Sequence, residues 1–98
     1  MPYKNKEDRA KRDAERRRSN VTFLRNYKIS KGCVDCGYNK HHAGLFFDHL
    51  PEFDKLDNVA SMIYRSRQVI EAEIAKCEVV CGTCHGIRTW QRLQNMDV

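Results

Sequence analysis

Two Cys-x2-Cys pairs constrain this chain more than any other feature of its sequence. Cys33 and Cys36 form the first pair, Cys81 and Cys84 form the second, and 44 residues lie between them. Each pair can present two thiolates to one ion, and two pairs complete a tetrahedral structural zinc site. A chain of 98 residues buries only about 60–65% of its unfolded surface, so it needs such reinforcement. We therefore predict one structural Zn²⁺ bound by these four cysteines.

The fifth cysteine, Cys77, lies outside the paired spacing and is the expected free thiol. Two alternatives remain for the pairs: some thiols could be small buried apolar groups, or one pair could be a redox Cys-x-x-Cys. The redox interpretation is weaker because no thioredoxin-like βαβ pattern surrounds either pair. His85, directly after Cys84, could also replace a cysteine as a zinc ligand.

Composition and the first residues indicate a compartment. No apolar run approaches the ~18–20 residues of a membrane span. The N-terminal residues are charged where a signal peptide would be apolar. Because disulfides are rare in reducing compartments, zinc is favoured over a disulfide framework. We expect a cytoplasmic protein without a membrane association.

Positive charge is concentrated at the N-terminus. Residues 1–31 contain 11 Lys and Arg against 4 Asp and Glu, whereas residues 32–98 contain 7 against 9. A basic arm that precedes a slightly acidic body favours nucleic acid as the partner. A solvated surface tail is the alternative interpretation. The candidate DNA-binding residues are Lys11, Arg12, Arg16, Arg17, Arg18 and, near the C-terminus, Arg88.

The periodicity predicts a small α+β fold with two parts, a basic arm over 1–31 and a zinc-bound domain over 32–98. An exposed helix is expected over 4–18, and residues 20–29 are expected to dock it onto the body. A short strand is predicted over 44–48, and residues 59–76 are expected to form one amphipathic helix or two short ones. A last helix is predicted over about 85–93, with Trp90 in the core.

A second group of residues carries chemistry: Asp48-His49 ends the predicted strand, and His85 follows the last cysteine. Together with Lys55-Leu56-Asp57-Asn58-Val59 and the run from Glu73 to His85, this pattern resembles the HNH endonuclease family. It is most similar to the small zinc-stapled HNH proteins of bacteria and their phages. The resemblance covers roughly residues 32–90 and implies a ββα-metal fold, in which two strands and a helix hold one divalent cation.

The resemblance also implies roles for four residues. Asp48 and His85 match the ligands of the catalytic cation, Mg²⁺ or Mn²⁺, with Zn²⁺ or Ni²⁺ as alternatives. His49 matches the general base that activates water, and Asn58 matches the residue that orients its imidazole. The chemistry fits, because phosphodiester hydrolysis needs a cation for the developing negative charge and a base that titrates near neutral pH. Asp57 or Asn58 could instead be a helix N-cap.

The expected function is therefore metal-dependent hydrolysis of DNA phosphodiester bonds, by nicking or by double-strand cleavage. The expected partner is double-stranded DNA, the expected state a monomer or homodimer, and no small-molecule cofactor is implied. The rival interpretation is a non-catalytic zinc module that binds nucleic acid through its basic arm. Asp48, His49 and His85 discriminate between the two, because a binding module needs no acid and base beside its zinc.

Overall fold

The computed structural model describes residues 6–96, without the side chains of 95 and 96. The chain forms three helices and a two-stranded antiparallel sheet, so the predicted small α+β fold is confirmed. Residues 4 and 5 of the predicted first helix, and the extreme ends of both predicted parts, lie outside the described residues. The elements in chain order are α1 (Lys6–Lys31), a 3-10 turn (His42–Gly44), β1 (Leu45–His49), a second 3-10 turn (Val59–Met62), α2 (Arg67–Ile74), β2 (Cys77–Cys81) and α3 (Gly82–Met96).

Helix α1 is one continuous helix that spans both the basic arm and its docking segment. Its sequence from Lys6 to Lys31 contains neither Gly nor Pro, and acidic residues in the first turn and basic residues in the last turn complement the helix dipole. Gly32 ends it with a φ of +66° and donates its N–H to the Lys28 carbonyl at 2.8 Å. Residues 6–19 are all exposed, whereas the second half of the helix packs on the body.

Asn20 is the polar contact that fixes α1 to the body. Its side chain is buried and its Nδ2 donates to the carbonyls of Ile63 at 2.8 Å and Arg65 at 2.9 Å. Its Oδ1 accepts from Arg67 Nε at 3.1 Å, and the Arg67 guanidinium lies 4.1 Å from the ring centre of Phe23. Both the NH₂ group and the carbonyl oxygen of this buried amide are therefore hydrogen-bonded, and these bonds offset the free-energy cost of burying it.

Two apolar clusters form the core. The first contains Leu24, Val59, Met62, Ile70 and Ile74, and the second contains Cys33, Leu45, Val79 and Val80. Residues 59–76, for which the sequence predicts one helix or two short ones, form two short elements, the second 3-10 turn and α2. Ser66 caps α2 by accepting the N–H of Val69 at 3.4 Å. The first cluster packs α1 against α2, and the second contains Val79 and Val80, neighbours in β2 whose side chains leave opposite faces of the strand.

Strands β1 and β2 pair with Asp48 opposite Glu78 and His49 opposite Cys77. Helix α3 begins at the residue that follows β2, three residues earlier than predicted. One face of α3 turns Arg88 and Arg92 toward β1. Trp90 is two residues from Arg88 and two from Arg92, which places it about 200° around the helix, on the side away from the sheet. The prediction that Trp90 is a core residue is wrong, because it is 61% exposed.

Within residues 6–96, no helix combines the length and the hydropathy that spanning a bilayer requires.

Candidate metal centre and adjacent cleft

The four paired cysteines come together at one point. The Sγ atoms of Cys33, Cys36, Cys81 and Cys84 all lie within 4.8 Å of one another, and Cys36 Sγ is 3.6 Å from Cys81 Sγ. Sulfurs at the corners of a tetrahedral zinc site are about 3.8 Å apart, because each Zn–S bond is about 2.3 Å long. The cluster therefore has the donor atoms and the size to hold a structural metal ion such as zinc.

Local backbone geometry positions these thiols. The first pair lies in a tight turn after α1, in which Cys33 N–H donates to the Tyr38 carbonyl and Gly37 N–H donates to the Cys33 carbonyl, both at 2.8 Å. Gly37 has a φ of +83°, which side-chain-bearing residues rarely adopt. Cys81 ends β2 and Cys84 lies in the first turn of α3, where its N–H donates to Cys81 Sγ at 3.5 Å.

The thiols differ in acidity. Burial raises the pKa of Cys33, but hydrogen bonds from the backbone of Cys81, Cys36 and Asp35 outweigh it and lower the pKa to about 6. The hydrogen bond with Cys81, together with burial, raises the pKa of Cys84 to about 12. A bound cation favours the thiolate form of every ligand, so zinc binding would release protons from this cluster.

Cys77 lies apart from the cluster, as the spacing predicts. It is half-buried in β2 and its thiol donates to the Glu73 carbonyl at 3.5 Å. Burial raises its pKa to about 11, so it is an inert thiol at neutral pH.

The four residues proposed for catalysis, Asp48, His49, Asn58 and His85, line one cleft of about 440 Å³. This cleft is beside the cysteine cluster, because Cys84 directly precedes His85 in α3. Asp48 and His49 are neighbours at the end of β1 and approach the cleft from opposite faces of the strand.

Three cationic side chains line the same cleft: Lys28 from α1, Lys55 from the loop after β1, and Arg92 from α3. Burial and the nearby Arg25 lower the pKa of Lys28, whose Nζ lies 5.4 Å from the Phe47 ring centre. A cleft with this charge suits an anion such as a phosphodiester.

Asp48 is buried and paired with two arginines. Arg92 Nη1 lies 2.7 Å from Asp48 Oδ1 and Arg92 Nη2 lies 2.9 Å from Oδ2, while Arg88 Nη1 lies 2.8 Å from Oδ2. Burial raises the pKa of Asp48, but these hydrogen bonds outweigh it and hold the pKa below its usual value. The carboxylate is therefore ionised and has an arginine on each oxygen.

His85 is the second predicted cation ligand, and its Nε2 lies 3.9 Å from Asp48 Oδ1. Two atoms at this separation can bind one divalent ion, and a carboxylate with an imidazole is a donor set that such ions accept. Within residues 6–96, no third His, Cys, Asp or Glu joins this pair closely enough to share an ion. Water or phosphate oxygens would complete the coordination. The Phe46 ring stacks on the His85 ring, with 5.8 Å between the ring centres.

Arg88, a predicted DNA-binding residue, is held inside an ion-pair network. Besides Asp48, it binds both carboxylate oxygens of Asp35 at 2.8 Å and Glu78 Oε1 at 2.9 Å. The hydrogen bonds with Asp35 and Asp48 raise its pKa. Arg88 therefore ties the first cysteine turn and both strands to α3, and a phosphate would have to compete with three carboxylates for it.

His49 contacts Glu73, a partner that the sequence did not reveal. His49 Nε2 lies 2.8 Å from Glu73 Oε2, and that carboxylate, 1% exposed, also accepts from Leu56 N–H at 3.0 Å and Lys76 Nζ at 3.0 Å. Burial raises the pKa of Glu73, but the hydrogen bonds from Lys76, Leu56 and His49 outweigh it and lower the pKa to about 2.

Asn58 lines the cleft but makes no side-chain hydrogen bond within the described part of the chain. It precedes the second 3-10 turn as its N-cap residue, without a side-chain cap bond, and its N–H donates to Asp57 Oδ1 at 2.7 Å. The contact expected between Asn58 and His49 is thus absent from this arrangement of residues 6–96, and Glu73 occupies the hydrogen-bonding position beside the ring.

Sequence reasoning missed Glu73 and Arg92, although each has a signal. Glu73 falls on the buried stripe of α2, with Ile70 three residues before it and Ile74 after it. A carboxylate on such a stripe needs compensating partners. Arg92 is one helical turn beyond Arg88, so the two side chains reach the same acid.

The predicted DNA-binding residues of the arm are exposed. They are Lys11, Arg12, Arg16, Arg17 and Arg18, all in the part of α1 that lies before the Asn20 anchor. Arg16 Nη1 donates to the Tyr64 carbonyl at 3.3 Å. At 100° per residue these five cations point to several sides of the helix, so the arm presents positive charge in most directions.

Comparison with known proteins gives no match to any family model, curated protein or solved structure.

Proposed function

We propose that this chain is a zinc-stabilised, metal-dependent endonuclease of the HNH type that hydrolyses DNA phosphodiester bonds. The observation that carries the proposal is the cleft shared by Asp48, His49 and His85 on a strand–strand–helix unit beside four clustered cysteines. A carboxylate and an imidazole can hold a divalent cation and a second imidazole can act as general base, and phosphodiester hydrolysis uses both functions.

Asp48 and His85 are the residues that would hold the catalytic divalent cation, Mg²⁺ or Mn²⁺. Their 3.9 Å separation fits two ligands of one ion, but the carboxylate has to release an arginine first. When bound, the cation supplies charge stabilisation for the phosphate and the leaving oxygen.

The chain's own residues supply the proton transfer and the binding. His49 takes a proton from water as the water oxygen bonds to phosphorus, and the bond from phosphorus to the leaving oxygen breaks. The leaving oxygen takes a proton from solvent, and His49 later returns its proton to solvent. Lys28, Lys55 and Arg92 line the cleft and bind the phosphate backbone.

DNA is the proposed substrate because the exposed arm adds a second cationic surface. Residues 6–19 of the arm are exposed, and charge spread around a helix binds the phosphate backbone without reading bases. Double-stranded DNA is the proposed form, and one catalytic cleft per chain implies nicking unless two chains meet on the duplex.

A second function, a non-catalytic nucleic-acid-binding zinc module, is favoured by one observation. Arginines occupy both oxygens of Asp48, so this carboxylate is already neutralised without a cation. In that case the Asp48 cluster is a structural link between β1 and α3.

Plasmid nicking distinguishes the two functions. Zinc-loaded protein is incubated with supercoiled plasmid, with and without added Mg²⁺ or Mn²⁺, and compared with His49→Gln and, as a matched control, His42→Gln. An endonuclease nicks only with the added cation, His49→Gln loses about 10²–10⁴-fold in rate, and His42→Gln nicks as the parent does. A parent that binds the plasmid but never nicks it, with any cation, supports the binding module instead.

A further inference from the structure

Glu73 is a buried carboxylate on a helix face that is otherwise apolar. Its neighbours Ile70 and Ile74 belong to the core, and its own side chain is 1% exposed. Burying an ionised carboxylate is costly unless hydrogen bonds and opposite charge compensate. A buried carboxylate that faces a cleft histidine is therefore a candidate for a role in chemistry rather than in packing.

The two oxygens of Glu73 have different partners. Oε1 is bound by Lys76 Nζ at 3.0 Å, whereas Oε2 is bound by Leu56 N–H and lies 2.8 Å from His49 Nε2. Because an ionised carboxylate can only accept hydrogen bonds, the proton in the contact with His49 belongs to Nε2. In the neutral ring the lone pair is then on Nδ1, which has no hydrogen-bond partner within residues 6–96.

We propose that Glu73 is the positioning residue of His49: it holds the imidazole as the Nε2–H tautomer, so that Nδ1 is the atom that accepts the water proton. The inference rests on the proposed endonuclease function and names the residue that orients its base. The Nε2–H proton stays on the ring throughout, hydrogen-bonded to Glu73. We expect its removal to lower activity by about 10–100-fold, the range known for carboxylates that orient metal-bound histidines.

The position of Glu73 depends on the segment that joins the two strands. Helix α2 lies between β1 and β2 in the chain, and Ile70 and Ile74 fix it in the core. This placement brings a carboxylate from α2 to the end of β1, where the His49 side chain leaves the strand. The sheet's own strands offer no such partner, since Cys77 is opposite His49 in the register.

The test compares Glu73→Gln with two controls on the same segment. Glu71→Gln removes an exposed carboxylate from α2, and Lys76→Met removes the partner of Oε1 while leaving the contact with His49 in place. The tautomer is read from long-range ¹H–¹⁵N NMR of the ring at neutral pH, with the His49 signals identified by their loss in His49→Gln. Single-turnover nicking, zinc content and circular dichroism are measured on the same samples.

The expected result is a single Nε2–H tautomer in the parent, in Glu71→Gln and in Lys76→Met. Glu73→Gln should show a mixture, because an amide can donate to or accept from the ring nitrogen. Its nicking rate should fall by about 10–100-fold with zinc content and DNA affinity unchanged.

Two results would overturn the inference: a parent His49 in the Nδ1–H form, or a Glu73→Gln variant that keeps both the tautomer and the rate. If Lys76→Met also gives a mixture of tautomers, the mixture in Glu73→Gln reflects a general disturbance of this segment. The contact between Glu73 and His49 is then not what sets the tautomer, and the inference is overturned. A parent that nicks no DNA refutes the proposed function alone, because the tautomer measurement still decides whether Glu73 orients the ring.

Discussion

Arg92 Nη1 lies 2.7 Å from Asp48 Oδ1, the same oxygen that is 3.9 Å from His85 Nε2. The guanidinium thus binds the oxygen that a cation shared by Asp48 and His85 would use. Arg92 is the arginine that can leave, because Asp48 is its sole acidic contact among residues 6–96 and its side chain is 38% exposed. Arg88 is fixed by two further carboxylates. Arg92 and the proposed catalytic cation would therefore compete for Asp48.

The first prediction follows from this competition. Arg92→Gln should bind Mn²⁺ about tenfold more tightly than the parent, or by about 1.4 kcal/mol, because a positive charge leaves the ligand oxygen. Titration of zinc-loaded protein with Mn²⁺, followed by the electron paramagnetic resonance signal of free Mn²⁺, measures this affinity. Arg65→Gln removes an exposed arginine elsewhere and should not change it. Equal Mn²⁺ affinity in Arg92→Gln and the parent would show that Arg92 does not compete with the cation for Asp48.

The second prediction concerns pH and Glu73. Its pKa is about 2 in the folded protein against an ordinary 4.5, so the unfolded chain binds more protons as the pH falls through this range. The contribution of Glu73 to the free energy of unfolding is present above about pH 4.5 and is lost progressively as the pH falls toward 2. We expect it to be on the order of a few kcal/mol.

Urea unfolding of the parent and of Glu73→Gln between pH 7 and pH 3 measures this contribution. Acid also protonates the cysteine cluster. That effect is the same in both proteins, so it cancels in the difference between their free energies of unfolding. The difference in free energy of unfolding should be largest near pH 7 and should shrink below pH 4.5. A difference that stays constant over the whole range would mean that ionisation of Glu73 is not what stabilises the fold.

The third prediction concerns the cysteine cluster. Cys33→Ser and Cys84→Ser should each lose bound zinc and most of the folded structure, because zinc binding in small domains contributes much of the folding free energy. Elemental analysis for zinc and circular dichroism of the purified variants measure both effects. Cys77→Ser is the matched control, since Cys77 lies outside the cluster, and it should keep one zinc per chain. If Cys33→Ser folds normally without zinc, the metal does not stabilise the fold.

The sequence predicts the local parts of the site better than the tertiary ones. The cysteine cluster follows from spacing within two short segments, because a Cys-x2-Cys turn sets its own geometry. Glu73 reaches His49 only because α2 folds back across the sheet, and no spacing along the chain encodes that contact. The prediction that Trp90 lies in the core fails because the face of α3 that meets the sheet presents charged residues, and Trp90 lies on another face. Patterns of residue type along the chain do not reveal buried charged residues whose compensating partners are distant in the sequence.

The last prediction concerns the arm. Residues 6–19 are exposed and the Asn20 anchor follows them, so deletion of residues 1–18 should leave zinc content and the folded body intact. The deletion removes Lys11, Arg12 and the arginines at 16–18, which should weaken binding to all DNA sequences equally. The slope of log affinity against log salt should become shallower by about 2 to 4, since each lost phosphate contact changes it by about 0.9. Fluorescence anisotropy with a labelled duplex from 50 to 300 mM salt gives this slope for the parent and the deletion, and Arg16→Gln/Arg17→Gln/Arg18→Gln serves as a variant of unchanged length. If both variants keep the parent's slope, the arm does not contact the phosphates, and the cations of the cleft, Lys28 and Lys55, must supply the binding.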